Sequence, residues 1–165
     1  MENLQPEKIQ EFDEAQTEIR DFVGKNADYY LGKWSSAKDP DKRAGWNWSA
    51  FFAGIFWLGY RKQYTMVGLL VGIFLVIDIV QLFINVDLNK TVGTTIAFML
   101  GFGGNSWYYK EMNKKIAKIR AKYTDPEVQK VEIIKAGGTS WGGVGIAVAL
   151  FAVEILINIV IANIV

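Results

Sequence analysis

Residues 46–64 read WNWSAFFAGIFWLGYRKQY and hold three tryptophans, three phenylalanines and two tyrosines. Aromatic side chains with one apolar and one polar side settle at the headgroup level of a membrane. Arg61 and Lys62 follow the aromatic run and stand immediately before a long apolar segment, a position that marks the cytoplasmic side. We therefore predict that this segment lies at a membrane surface, with a soluble region before it and a lipid-embedded region after it.

This aromatic segment is too short to cross a bilayer. A helix over residues 48–60 rises about 20 Å, whereas the hydrocarbon core is about 30 Å thick. Aromatic residues occur nearly all round it, which favours a helix lying in the interface over a re-entrant helix that dips in and returns. Asn47 or Ser49 is expected to cap its start. The residues predicted to meet the membrane interface are Trp46, Trp48, Trp57, Tyr60, Arg61 and Lys62.

Three later segments are long and apolar enough to span: 64–84, 91–109 and 141–165. Before the aromatic stretch, helical periodicity predicts helices over 6–23 and 27–38, followed by a polar linker. Basic surface helices are predicted over 110–136. These segments predict an all-α polytopic membrane protein with three transmembrane helices, an interfacial or re-entrant aromatic helix and a cytoplasmic helical N-terminal arm. The predicted domains are the arm, 1–45, and a membrane domain, 46–165.

The distribution of basic residues predicts the orientation. Lys42, Arg43, Arg61, Lys62 and the cluster within 110–135 fall on one side of the predicted spans. By the positive-inside rule, the N-terminus is cytoplasmic and the C-terminus is outside. Because the basic run directly follows a span, it is expected to contact anionic lipid headgroups rather than nucleic acid. The residues concerned are Lys110, Lys114, Lys115, Lys118, Arg120 and Lys122.

Two carboxyl groups lie inside predicted spans, where each is costly unless protonated or paired. Asp78 and Glu154 both fall about 20 Å above the inner interface at helical rise. Thr94 or Thr95 falls at a similar depth on the descending helix, and Asn158 lies one turn from Glu154. We therefore predict an intramembrane polar layer of Asp78, Thr94, Thr95, Glu154 and Asn158. It is either a proton or cation relay or, as we favour, a set of hydrogen bonds that fixes the helices in register.

The chain has no cysteine and no histidine. Disulfides, zinc sites of the Cys/His type, haem ligation through those residues and Ser-His-Asp triads are therefore excluded. No catalytic residue, metal site or cofactor is predicted. Glycines and alanines at four-residue spacing in the spans, such as Gly68 and Gly72, favour a tight bundle or a homo-oligomer.

Several motifs resemble those of a known family. They are FVGKNADYYL at 22–31, the aromatic stretch at 46–64, GNSWYY at 104–109 with the lysines after it, and GGTS at 137–140. Together they resemble the bacterial membrane proteins of domain-of-unknown-function family 2628. Where members often carry proline after the glycine of the aromatic core, this chain has Ile55, which leaves a kink there open. The resemblance implies a bacterial cytoplasmic-membrane protein and carries over no catalytic residue.

The leading functional prediction is a non-enzymatic interaction or regulatory protein, anchored by its membrane bundle, whose cytoplasmic arm binds a protein partner. The alternative is a small oligomeric ion or solute transporter or channel subunit that uses the intramembrane carboxyls. A membrane enzyme ranks third, since the carboxyl pair is its only candidate chemistry.

Overall fold

The computed structural model describes residues 6–84, 86 and 88–164. Over these residues the chain is helical and contains no strand. The helices are α1 (Pro6–Val23), α2 (Ala27–Ser35), α3 (Trp48–Tyr60), α4 (Tyr64–Ile84), α5 (Asn89–Lys122), α6 (Pro126–Ala136) and α7 (Trp141–Ile164). Residues 1–5 of the predicted arm and Val165 of the last predicted span lie outside the described residues.

Polar side chains cap the starts of three helices. Asn47 Oδ1 accepts a hydrogen bond from the Ala50 main-chain nitrogen at 2.9 Å, so Asn47 rather than Ser49 caps α3. Asp125 caps α6, and Ser140 Oγ accepts from the Gly143 nitrogen at 2.9 Å at the start of α7. The second predicted span and the first part of the basic surface region form one helix, α5, of 34 residues.

The chain divides into two compact units at places that differ from the predicted boundary. The charged unit comprises residues 1–45 and 105–139, and the apolar unit comprises 46–104 and 140–165. The basic region 110–136 therefore belongs with the N-terminal arm, not with the membrane domain in which it was predicted. This grouping is explained by buried apolar side chains. Met112, Ile116 and Ile133 are buried, so the region has an apolar face that packs into the core in addition to its basic face.

The core of the charged unit is aromatic. The Tyr108 ring lies 6.1 Å from that of Phe22, 5.0 Å from that of Tyr30 and 5.9 Å from that of Trp34. Asn105 Nδ2 donates to the carbonyls of Ala44 and Gly45, and the Asn105 carbonyl accepts from Trp34 Nε1 at 3.1 Å. Two residues of the 104–109 motif thus have structural roles: Tyr108 packs in the core, and Asn105 fixes the end of the linker by hydrogen bonds.

Helices α3, α4 and α7 pack together in the apolar unit. Two segments are long and apolar enough to cross a membrane: α4 and part of residues 126–161. The second is α7, because α6 carries Glu127, Lys130, Glu132 and Lys135. The first half of α5, predicted as a third span, does not reach the same apolarity.

Helix α3 is broken at Gly54, whose φ is 50° and ψ is −122°. The break occurs without proline, because glycine itself can adopt this mirror-image extended conformation. The Asn47 nitrogen donates to the Gly101 carbonyl, and the Tyr60 carbonyl accepts from the Ser140 nitrogen, so both ends of the segment are fixed.

Between those ends, α3 runs into the unit and returns. The Phe51 ring meets Phe98 of α5 at 5.2 Å, and the Phe56 ring meets Phe151 of α7 at 5.9 Å. Phe151 lies ten residues beyond Trp141, about 15 Å along the helix. The break at Gly54 lets the segment turn back on itself against α5 and α7. Its placement relative to a membrane, flat or re-entrant, stays a prediction.

Candidate functional site

Asp78 is the centre of a polar cluster in the apolar unit, and its side chain is 1% exposed. Its Oδ1 accepts hydrogen bonds from Gln81 Nε2 at 3.3 Å and Asn89 Nδ2 at 3.4 Å. Its Oδ2 accepts one from Asn158 Nδ2 at 3.3 Å. Amide groups from α4, α5 and α7 therefore converge on one carboxylate, which balances much of the cost of its burial.

The amide side chains also join the three helices to one another. Asn89 Nδ2 donates to Asn158 Oδ1 at 2.6 Å, and Asn158 Nδ2 donates to the main-chain carbonyl of Glu154 at 3.0 Å. Gln81 Oε1 accepts a hydrogen bond from the main-chain nitrogen of Leu88. The end of α4, the start of α5 and the second half of α7 are thus tied into one network.

Glu154 completes the cluster and differs from Asp78 in its partners. Its side chain is 9% exposed, and its carboxyl group lies close enough to that of Asp78 for the two to interact. Neither of its oxygens accepts a hydrogen bond from an N–H or hydroxyl donor of the described residues. The neighbouring Asn158 amide instead directs its nitrogen to Asp78 and to the Glu154 main chain.

Three of the five residues predicted for the polar layer come together, namely Asp78, Glu154 and Asn158. Thr94 and Thr95 do not join them: both are exposed, and their hydroxyls donate to the carbonyls of Lys90 and Thr91 one turn earlier in α5. A threonine hydroxyl is readily satisfied in this way by its own helix. Helical rise predicted their depth, but it carries no information about the direction in which each faces.

Gln81 and Asn89 are members of the cluster that the predicted layer left out. Gln81 lies three residues after Asp78, and helical spacing places it on the same helix face, although the predicted layer did not include it. Asn89 lies two residues before the second predicted span, 91–109. It is the first residue of α5, and from this position its amide reaches α4 and α7 and joins the cluster.

The cluster has the chemistry of a proton site or of an interhelical clamp. No ion pair to Asp78 or Glu154 occurs among the residues with described side chains. Within the described part of the chain, no three His, Cys, Asp or Glu side chains group closely enough to hold a metal ion. Hydrogen bonds between transmembrane helices each contribute about 0.6–2 kcal/mol to helix association.

The predicted interface residues have several environments. Trp48 is exposed, whereas Trp57 and Arg61 are buried within the protein. Trp46 packs against the rings of Phe51, Phe98 and Phe102, and Tyr60 packs against Trp141 with ring centroids 5.5 Å apart. Lys62 is half-buried and has a φ of 54°. Only part of this set is therefore free to face a headgroup layer.

The predicted lipid-contacting residues divide into two groups. Arg120 forms a two-point ion pair with Glu18, and Lys115 pairs with Glu111 at 3.6 Å. A hydrogen bond to Tyr123 raises the pKa of Lys122. Lys110, Lys114 and Lys118 are exposed. They form no ion pair among the described side chains. These three lysines are the part of the run that is available to an anionic partner.

Comparison with known proteins gives one result. A family model described as "Protein of unknown function (DUF2628)" matches residues 11–114, which is more than half of the chain. The chain belongs to that family. No curated protein and no solved structure matches it.

Proposed function

We propose that this member of the DUF2628 family is an integral protein of the bacterial cytoplasmic membrane, non-enzymatic, whose charged unit binds a protein partner. The proposal is carried by the exposure of its apolar helices. Only 17% of the apolar stretch in α4 and 11% of that in α7 is buried within the protein. A core helix of a soluble protein of this composition would be mostly buried.

Exposed apolar area of this kind is unfavourable in water and is stabilised when lipid covers it. Val76, Phe83, Leu156 and Val160 are each more than half exposed. Water contact costs about 25 cal/mol for each Å² of apolar surface, and side chains of this size expose a large area. Lipid tails remove that cost on every face of α4 and α7 that the protein leaves uncovered.

The proposed topology has three spans, formed by α4, the first half of α5 and α7, with α3 re-entering from the cytoplasmic side. It is supported by the position of basic residues, with the N-terminus cytoplasmic and the C-terminus outside. The absence of cysteine from the sequence makes the test direct, because a single introduced cysteine is the only thiol.

Single cysteines at Lys90 and Lys114 test that topology. Both side chains are exposed, and both lie on α5 at opposite ends of the proposed span. A membrane-impermeant maleimide should label Lys90→Cys in intact cells and Lys114→Cys only after permeabilisation. Labelling of both positions in intact cells would contradict the three-span topology.

The partner-binding role is supported by apolar residues left on the surface of the charged unit. Val128, Val131 and Ile134 recur every three residues along α6 and are exposed, and Phe12 of α1 is 62% exposed. Such residues in a unit with a closed aromatic core are typical of an interaction surface. The exposed lysines 110, 114 and 118 are proposed to contact anionic lipid headgroups.

Site-directed photo-crosslinking in native membranes tests this role. A photoreactive amino acid at Val131 should give one specific protein adduct, identified by mass spectrometry. The matched control is Lys130, which is exposed on the same helix beside it. Recovery of no adduct at Val131, or of the same adducts at both positions, would count against partner binding by α6.

A second candidate function is a small oligomeric transporter or channel subunit for an ion or solute. The observation that favours it is the buried cluster around Asp78 and Glu154, because intramembrane carboxyls commonly mark ion pathways. Three spans enclose too little space alone, so this role requires a homo-oligomer. Flux in liposomes that is abolished by Asp78→Asn would favour it over the first proposal.

A further inference from the structure

The two carboxyl groups of the cluster, those of Asp78 and Glu154, differ in the number of hydrogen-bond donors that contact them. Asp78 accepts three hydrogen bonds from amide nitrogens, contributed by Gln81, Asn89 and Asn158. Glu154, beside it and buried, accepts none at its carboxyl oxygens from the described residues. A carboxylate surrounded by N–H donors is stabilised as the anion, whereas a buried carboxyl without donors is stabilised as the neutral acid.

We propose that Asp78 and Glu154 form a binding site for one exchangeable proton, with Glu154 as the neutral acid that donates a hydrogen bond to the ionised Asp78. The proton then lies between the two carboxyls. The pair carries a single negative charge, which the three amide groups solvate. Glu154 takes its proton from hydronium in the adjoining water, which becomes neutral water, and release returns the proton to water as hydronium, so no other reactant is needed.

Among the side chains that the structure describes, none forms an ion pair with Glu154 and could so take the place of the proton. From α4 the group facing it is Asp78, and from α7 the neighbouring polar side chain is the uncharged Asn158. Asn89 of α5 is uncharged too. Helix α3 meets α7 through the Phe56 and Phe151 rings. Without a positive side chain nearby, two adjacent charged carboxylates would repel strongly in a medium of low dielectric constant.

A proton suits the site better than a metal cation. Hard cations such as Ca²⁺ need about six to eight oxygen ligands, and the cluster offers two carboxyls and a few amide oxygens. Moreover, the amide nitrogens of Gln81, Asn89 and Asn158 point towards Asp78, where their N–H groups would repel a cation. The same N–H groups are compatible with a neutral Glu154.

A polar route leads from the site to the end of the helices. Asp78 lies six residues before Ile84, the last residue of α4, about 9 Å along the axis. Gln81, Asn89 and Asn158 are each half-buried between Asp78 and that end. Their side chains provide hydrogen-bonding groups along this distance, which allows exchange with water at the side of the membrane where α5 begins.

The inference rests on the proposed function only for the statement that lipid surrounds the apolar unit. The two can be tested separately. Reconstituted protein is first floated with liposomes and washed with alkaline carbonate. Loss of the protein from the liposome fraction would overturn the membrane placement and would not concern the proton site. Infrared spectra are then recorded only on protein that remains with the lipid.

The test is the infrared carbonyl band of a neutral carboxylic acid at neutral pH in D₂O. The wild type should show one such band, and Glu154→Gln should lose it. Asp78→Asn should retain the band at a shifted frequency, because the acceptor of the hydrogen bond changes. Glu111→Gln, at a half-buried glutamate of α5 paired with Lys115, is the matched control and should leave the band unchanged.

Three results would overturn the proposal. They are absence of the band from the folded wild type, its persistence in Glu154→Gln, and its loss on replacing choline chloride with sodium chloride, which would indicate a cation site. The first and third need no variant, so the test remains decisive if a substitution prevents folding.

Discussion

Gly59 of α3 and Gly143 of α7 meet backbone to backbone: a methyl group on either glycine would overlap the main-chain carbonyl oxygen of the other. Hydrogen bonding fixes the same region, since the Tyr60 carbonyl accepts from the Ser140 nitrogen at 2.9 Å. This contact closes the returning half of α3 onto the start of α7. It explains why glycine occupies both positions without reference to any ligand.

Gly59→Ala and Gly143→Ala should each lower stability by about 1–3 kcal/mol, because the added methyl group forces the two backbones apart. The effect is measured as a fall in Tm in detergent. The double variant should cost less than the two single variants together, since one separation relieves both overlaps. Gly145→Ala is the control: nothing lies within 4 Å of its added Cβ, so it should be neutral or slightly stabilising. Equal effects at 143 and 145 would refute the contact.

A second pair of glycines on α5 should respond in opposite ways to the same change. A Cβ at Gly101 would lie 2.6 Å from the Trp46 ring, whereas nothing lies within 4 Å of one at Gly93. Gly101→Ala should therefore displace Trp46 and lower Tm. Gly93→Ala should raise stability by up to about 1 kcal/mol through helix propensity. The chain has six tryptophans, so the emission spectrum is compared with and without Trp46→Phe: a shift caused by Gly101→Ala that disappears in the Trp46→Phe background identifies Trp46 as the displaced group.

Local patterns predicted the helices well because they depend on neighbouring residues. Periodicity and length identified α1 and α4 at their observed ends. The sequence did not decide whether α3 is kinked, because the proline that would cause a kink is absent from this chain. The structure shows that Gly54 alone breaks the helix. The preference for a flat helix followed from aromatic residues all round the segment.

Long-range groupings were less predictable. The buried face of 105–136 carries Met112, Ile116 and Ile133, but no local signal says that they share a unit with the N-terminal arm. In the polar cluster, helical rise predicted Asp78 and Glu154 at one level, and their carboxyl groups lie close together. It could not give the rotation of α5, which sends Thr94 and Thr95 outwards and brings in Asn89.

Asn105 should be one of the most sensitive residues of the charged unit. It is fully buried, and its amide donates to the carbonyls of Ala44 and Gly45 at 3.3 Å and 3.2 Å. Asn105→Ala leaves the buried Ala44 carbonyl without this donor and should cost about 1–3 kcal/mol in unfolding free energy. Asn113→Ala, at an exposed position of the same helix, should change Tm little. Faster proteolysis of the 36–45 linker in Asn105→Ala would confirm the cause.

Gly54→Ala should be destabilising although nothing lies within 4 Å of the added Cβ. The cost arises from the backbone, since a φ of 50° with a ψ of −122° is strained for any residue with a Cβ, by about 1–3 kcal/mol. If α3 straightens to relieve that strain, the Phe51–Phe98 and Phe56–Phe151 contacts cannot both persist.

Cysteine pairs in this otherwise cysteine-free chain report that change directly. Phe51→Cys with Phe98→Cys, and Phe56→Cys with Phe151→Cys, should each crosslink under mild oxidation or with a short bismaleimide, and Gly54→Ala should abolish at least one of the two crosslinks. Gly72→Ala, in an open helical position of α4, should preserve both. Retention of both crosslinks with unchanged Tm in Gly54→Ala would show that the reversal of α3 does not depend on glycine at this position.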